Sequence, residues 1–155
     1  MQKVLLKDMS EFAGNVLATI WLAGQKERAT ILALRGDLGA GKTTFVQALA
    51  RRLGIVENVQ SPTYVLMKSY TLSGHTTTFG SRRRFNRIIH IDAYRLDNPQ
   101  EFAALKPEEF LSDPKALVVV EWPERLGSAL PHPDLTINFS SEDAGEGERN
   151  IEIEK

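Results

Sequence analysis

Between positions 29 and 121 the chain carries three strongly apolar runs of strand length: ATILALR ending at Arg35, RIIHID ending at Asp92, and KALVVVE ending at Glu121. A run with little polar alternation suits a strand covered on both faces of a sheet. Helical periodicity fills the intervals. From Ser10, the expected N-cap, to about Leu22, residues Phe12, Ala13, Val16, Leu17 and Ile20 form one broad apolar face. TTFVQALARRLG predicts a second helix, with Phe45, Ala48, Leu49 and Leu53 inward and Gly54 as its stop. QSPTYVLMKSY predicts a proline turn and then a strand from about Tyr64 to Tyr70. NPQEFAAL reads as a helix opened by Asn98 and Pro99, PEEFL as a further helical turn, and PERL as a short helix. KVLL predicts a short first strand. DLTINFS and RNIEIE predict two weaker strands joined by a flexible acidic link over 141–148, and their alternation marks a half-exposed sheet edge.

Strands interleaved with helices predict an α/β fold, a three-layer α/β/α sandwich forming one domain over residues 1–155. No internal repeat is visible. Residues 72–87 predict a long basic hairpin loop containing Arg82, Arg83 and Arg84.

Composition narrows the chemistry. With 19 Lys and Arg against 20 Asp and Glu, the chain lacks the basic excess of a stand-alone nucleic-acid binder. It has no cysteine, which excludes disulfides and thiolate metal sites, and its three histidines (His75, His90, His132) are too scattered for a convincing zinc site. The N-terminus lacks a signal-peptide core and no apolar run is long enough to span a bilayer, so a soluble cytoplasmic protein is expected.

The residues after the first apolar run carry the strongest signal. Gly36-Asp37-Leu38-Gly39-Ala40-Gly41-Lys42-Thr43 matches GxxxxGK[ST] in full. The spacing has a physical purpose: glycines let the backbone curl so that several N–H groups face one concavity, and the following helix adds the positive end of its dipole. In such a loop Lys42 reaches the β- and γ-phosphates and the Thr43 hydroxyl ligates Mg²⁺. A chance match in a chain of this length has odds of roughly one in two hundred, and the strand-loop-helix context strengthens it further.

A phosphate grip also needs an acid for the metal, usually at the end of a neighbouring strand. Asp92 and Glu121 both end apolar runs, where ligands of open α/β sheets gather. The plain alternatives are a capping or salt-bridged Asp92, with Arg95 nearby, and a solvent-facing Glu121. His90 and Asp92, two apart, share a strand face; a metal pair is one reading and a packed strand-end histidine is favoured over it. Arg95 is a candidate phosphate contact or a carboxylate partner. Trp122 is a core residue or a ligand surface, and Thr63 and Tyr64 lie where a γ-phosphate-sensing switch would stand. The chain lacks the NKxD and DxxG strings of small GTPases. A small-molecule kinase and a nucleotide-sensing adaptor remain alternatives to an ATPase.

GDLGAGKTTF, SPTY, HIDAYRL and VVVEWPERL, in this order and spacing, resemble the TsaE family of tRNA threonylcarbamoyladenosine biosynthesis proteins, from the Ser10 helix to about Leu126. The resemblance implies a small P-loop ATPase with a mixed central sheet, using ATP/ADP and Mg²⁺. It implies TsaD and TsaB as partners, tRNA met indirectly through their complex, no membrane, and a monomer when alone. By position it makes Lys42, Asp92 and Glu121 the catalytic residues. It assigns the nucleotide to Asp37, Leu38, Gly39, Ala40, Gly41, Lys42, Thr43, Thr44, Thr63 and Trp122, and the metal to Thr43, Asp92 and Glu121. Which of the two acids ligates metal and which orients water stays open. Residues Ser10 to Gly14 are candidates for packing near the base. Two departures stand out: the loop over 72–87 is longer and more basic than expected, with tRNA or a partner as a candidate contact for Arg82 to Arg84, and ALKPEEFL lacks a glycine that family members commonly have before the acidic pair.

Overall fold

The computed structural model describes residues 1–72 and 84–155. β2 (Thr30–Arg35), β4 (Arg87–Asp92) and β5 (Ala116–Glu121) are the three apolar runs, and they lie side by side in parallel in the order β2-β5-β4. Their alternate residues feed two cores. Leu32, Leu34, Leu117, Val119 and Ile88 face α1 (Met9–Leu22) and α2 (Lys42–Arg52). Ile31, Val118, Val120, Ile89 and Ile91 face the opposite side, which Phe102, Phe110 and Leu126 cover. Both faces are therefore apolar, which is why these strands show no polar alternation.

Four further strands complete a seven-stranded mixed sheet of order β1-β7-β6-β2-β5-β4-β3. β6 (Leu135–Ser140) is parallel to β2; β7 (Glu148–Glu154), β1 (Gln2–Leu5) and β3 (Met67–Thr71) pair antiparallel with β6, β7 and β4. Alternation in β6 follows from one covered face: Leu135, Ile137 and Phe139 are buried while Thr136, Asn138 and Ser140 are half-exposed. The edge strand on this side is β1, outside β7. The link over 141–148 is hydrogen-bonded, with Glu148 N–H donating to Gly145 O and Asn150 Nδ2 to Glu142 O.

α1 begins two residues earlier than expected. A 3₁₀ turn over Leu6–Asp8 runs straight into it, Asp8 occupies the N-cap without a side-chain cap bond, and Ser10 lies inside the helix. Ser10 instead accepts Arg52 Nε on its carbonyl and hydroxyl oxygens, at 2.9 and 3.0 Å. Phe12, Phe45 and Phe139 form a tilted aromatic row with centroid spacings of 5.6 and 5.7 Å, joining α1, α2 and β6. β3 starts at Met67 rather than Tyr64, because Pro62 O accepts the N–H groups of both Val65 and Leu66 and holds that stretch in a turn. Tyr64 and Val65 consequently face solvent.

The expected helix after Pro99 contracts to one turn, α3 (Gln100–Ala103), followed by a second, α4 (Glu108–Leu111). Asn98 Oδ1 accepts the Gln100 N–H while Glu101 Oε1 accepts the Asn98 N–H, a reciprocal cap. Between the turns Lys106 adopts φ +51°, the left-handed conformation that favours glycine, just before the acidic pair. The helical break that a glycine would ease is therefore present here on a lysine.

β3 and β4 pair antiparallel, with Thr71 opposite Arg87. Residues 73–83 of the loop between them, including Arg82 and Arg83, lie outside the described residues. Arg84 does not fit an exposed tRNA-facing role: it is buried and its guanidinium donates to the carbonyl oxygens of Ile20 and Trp21 at the end of α1. No helix among the described residues is long and apolar enough to cross a membrane.

Asp134 joins the starts of β2 and β6. Its carboxylate accepts hydrogen bonds from Lys26 Nζ, from Ile31 N–H at 2.8 Å, and from both Arg28 terminal nitrogens at 3.0 Å. Burial alone pushes its pKa up, but the bonds from Lys26, Ile31 and Arg28 outweigh burial and hold it below the ordinary value of 3.8.

Two predictions follow from these strained and charged positions. Replacing Lys106 with glycine should raise the unfolding free energy by about 0.5–1 kcal/mol, since relief of left-handed strain exceeds the added chain entropy. The exposed Lys106–Glu109 pair lost with it, at 3.7 Å, is of the kind worth little. Denaturant melts of the two proteins check this; a loss of stability would mean that the pair outweighs the strain. For Asp134, a depressed folded pKa gives stability that is complete above the unfolded value and is lost as pH falls through the folded one. Urea melts should therefore show an acid-side decline below about pH 4 that is reduced in Asp134→Asn, with neutral-pH stability lower by about 1–3 kcal/mol.

Candidate functional site

β2 ends at Arg35, and the chain then turns through three glycines with positive φ: Gly36 at 130°, Gly39 at 79° and Gly41 at 104°. At Gly36 no side chain fits, because a Cβ would stand 2.1 Å from Phe139 O. Gly41 is the N-cap of α2, so the loop delivers Lys42 and Thr43 to the first turn of a helix. Lys42 is only 4% exposed. Its ammonium donates to Gly36 O at 2.6 Å and Asp37 O at 2.8 Å, and lies 4.2 Å from the centre of the Trp122 ring. Burial lowers the Lys42 pKa, while the carboxylates of Glu121, Asp92, Glu124 and Asp37 oppose that shift. Thr43 donates its hydroxyl to Glu121, at 3.0 Å from Oε1 and 3.2 Å from Oε2.

The two strand-end acids come together through register. Asp92 on β4 is opposite Glu121 on β5, which is opposite Leu34 on β2, two residues before Gly36. Both are buried, at 4% and 3% exposure. Asp92 Oδ2 accepts the hydroxyls of Ser61 at 2.7 Å and Thr63 at 2.5 Å; Oδ1 accepts the Tyr94 N–H at 3.0 Å. Glu121 Oε1 is also 2.9 Å from His90 Nε2. The histidine's partner is thus Glu121 rather than Asp92, and His90 is completely buried.

These groups border a cavity of about 430 Å³, a volume within the range of small-molecule sites. Leu38, Gly39, Gly41, Lys42, Thr43, Thr44, Thr63, Asp92, Glu121 and Trp122 line it, as do Tyr64 and Arg95. Asp37 and Ala40 are not in the lining: Asp37 contributes its carbonyl to Lys42, and Ala40 is buried in the core beneath the loop. Arg95 lies 4.5 Å from the Tyr64 ring centre, stacked on the switch-like loop rather than paired with Asp92. Trp122 has φ +59°, so the chain leaves β5 sharply, and its ring meets Tyr94 at 5.2 Å.

The lining also contains residues with no local sequence signal. Leu6 and Arg149 enter it, whereas Ser10 to Gly14 do not. Gly14 packs against Arg52 at the far end of α2 instead. Arg149 Nη2 donates to Gly39 O at 3.2 Å, and its stem lies against Gly41. Only the sheet order, which adds β7 beside β6 and β1 beside β7, could have revealed these two.

Among the described residues no group of three or more His, Cys, Asp or Glu side chains could hold a metal by itself. The available donors are the Thr43 hydroxyl and the Glu121 and Asp92 carboxylates, all hard oxygens. Such a set suits Mg²⁺, which takes one or two carboxylates and fills its remaining positions with water and substrate phosphates.

The family model "Threonylcarbamoyl adenosine biosynthesis protein TsaE" matches residues 8–151. A tRNA threonylcarbamoyladenosine biosynthesis protein TsaE from Haemophilus influenzae is 33% identical over 140 residues, covering 90% of this chain and 79% of the relative. The protein of the same name from Synechocystis is 41% identical over 108 residues, 68% of this chain and 61% of the relative. The crystal structure of Bacillus subtilis YdiB superimposes with a TM-score of 0.67 at 26% identity, covering 97% of this chain and 80% of that one. The glycine loop and the paired strand-end acids lie within the span matched by the family model, and this chain belongs to the TsaE family of tRNA threonylcarbamoyladenosine biosynthesis.

Proposed function

We propose that this protein is a Mg²⁺-dependent cytoplasmic ATPase, binding and hydrolysing ATP to support a TsaB–TsaD complex. That complex would form N6-threonylcarbamoyladenosine at position 37 of ANN-decoding tRNAs. The observation that carries the ATPase reading is the Thr43–Glu121 contact at 3.0 Å beside a buried Lys42, in a cavity that also holds Asp92. A helix-start hydroxyl bonded to a strand-end carboxylate is the pairing that P-loop enzymes use for their metal.

Each residue has a physical task. The glycine loop and the start of α2 favour an anion through their N–H groups and the helix dipole. Lys42, now held by two loop carbonyls, would transfer to phosphate oxygens, exchanging neutral acceptors for charged ones. Thr43 and Glu121 would hold Mg²⁺, which when bound offsets charge on the phosphates. Asp92 is the second acid at the cavity, suited to a water or to the metal's outer sphere. Its Oδ2 is engaged by Ser61 and Thr63, so a change at Asp92 would be felt by the turn carrying Tyr64. Hydrolysis would in this way become a movement of an exposed loop, a signal a partner can read.

The first measurement is ATP turnover with Mg²⁺, for wild type, Glu121→Ala and Lys42→Ala, alone and with TsaB, TsaD and a tRNA substrate. Wild type should hydrolyse slowly alone and faster with the partners. Glu121→Ala should keep nucleotide binding yet lose turnover by roughly a hundredfold or more, and stall repeated modification. Lys42→Ala should weaken nucleotide binding itself. Turnover indifferent to TsaB and TsaD would remove the coupling, and phosphate transferred to a small acceptor would replace the ATPase by a kinase.

A further inference from the structure

We propose that His90 is a positioning residue for Mg²⁺ and nucleotide, acting through Glu121; the inference rests on the ATPase reading above. His90 lies on β4, completely buried, with Nε2 2.9 Å from Glu121 Oε1. An ionised carboxylate can only accept, so the tautomer that fits this contact carries its proton on Nε2 and donates it to Glu121. Glu121 Oε1 thereby receives two donors, Nε2–H and the Thr43 hydroxyl. The two donors differ in kind. Thr43 is the hydroxyl that the metal would share, so its hydrogen bond to Glu121 is the one that the entry of Mg²⁺ and phosphate would perturb. The imidazole is locked between strands and does not depend on the ligand. It would keep the long Glu121 side chain in one orientation as the metal engages Thr43.

A second observation separates this role from packing. His90 Nδ1 is buried and has no protein partner among the described residues. A buried polar atom without a partner carries a desolvation penalty, so a histidine that merely filled space here would be bettered by an apolar side chain. The side chain is justified at its other nitrogen, where it meets the acid that ends β5. Groups standing behind a metal ligand commonly govern metal affinity by about 10–100-fold, and His90 occupies that place relative to Glu121.

The test compares wild type with His90→Leu and His90→Gln, the glutamine amide being long enough to donate to Glu121 where leucine cannot. Three quantities are read: unfolding midpoint without nucleotide, affinity for a non-hydrolysable ATP analogue by calorimetry across a Mg²⁺ series, and ATP turnover with the partners. His90→Leu should fold, with at most a modest fall in midpoint from the donor lost to Glu121, and bind the analogue normally without Mg²⁺. It should need about tenfold more Mg²⁺ for half-saturation, and its kcat should fall with little change in KM. His90→Gln should recover most of the Mg²⁺ dependence and turnover. Should leucine not fold at this site, His90→Asn, whose shorter amide falls short of Glu121, provides the same contrast with His90→Gln. Mg²⁺ dependence and turnover unchanged in His90→Leu, or in His90→Asn where that variant stands in for it, would overturn the role of His90 alone. A wild-type protein that bound no ATP analogue would overturn the ATPase reading and the role of His90 together.

Discussion

The register of three parallel strands is the constraint on which the site depends. Leu34, Glu121 and Asp92 are neighbours across β2, β5 and β4. That alignment brings the glycine loop, one acid and a second acid to the same end of the sheet. It is enforced by apolar burial on both faces, because a slip of one residue would turn every inward side chain to the other side. With Leu117, Val118, Val119 and Val120 all fully buried, such a slip in β5 would mismatch both cores at once and turn Glu121 away from Thr43.

Placing the chemistry there has a cost. Lys42, Asp92 and Glu121 are all at least nine-tenths buried, and an ionisable group removed from water is tolerated only when hydrogen-bonded or paired. Each is satisfied by a different kind of partner. Lys42 uses loop carbonyls and the face of Trp122; Glu121 uses Thr43 and His90; Asp92 uses Ser61, Thr63 and the Tyr94 N–H. The donors and acceptors come from five segments of the chain, so a change at one charged group is transmitted to the backbone around the cavity rather than absorbed by solvent.

What could be read from sequence was whatever is local. The loop's glycine spacing, the acids closing RIIHID and KALVVVE, and the Asn98 cap are written in consecutive residues, and the structure has them where the pattern put them. Contacts that depend on which strands are neighbours were illegible. His90 shares a strand face with Asp92, yet its partner is Glu121 across the sheet. Leu6 and Arg149 reach the cavity only because β1 and β7 are added beyond β6. Local pattern also misled where a competing bond won: Pro62 O keeps Tyr64 to Leu66 out of β3, and Arg84, one of a basic triplet, is drawn inward by the carbonyls at the end of α1.

The turn from Ser61 to Leu66 is where these threads meet. It is pinned at one end by two hydroxyls on a single oxygen of Asp92 and at the other by Leu66, whose φ of +66° is unfavourable for a side chain of that size. Between them Tyr64 is 86% exposed, with Arg95 against its ring. Within the turn Pro62 O accepts the Val65 and Leu66 N–H groups, and Leu66 O accepts the Asp92 N–H at 3.0 Å, so backbone bonds and one carboxylate share the hold on a strained segment. A ligand that drew Asp92 Oδ2 away from Ser61 and Thr63 would remove the side-chain part of that hold and leave the backbone part. The buried acid and the exposed tyrosine are thus mechanically connected over a few residues, without a long path through the core.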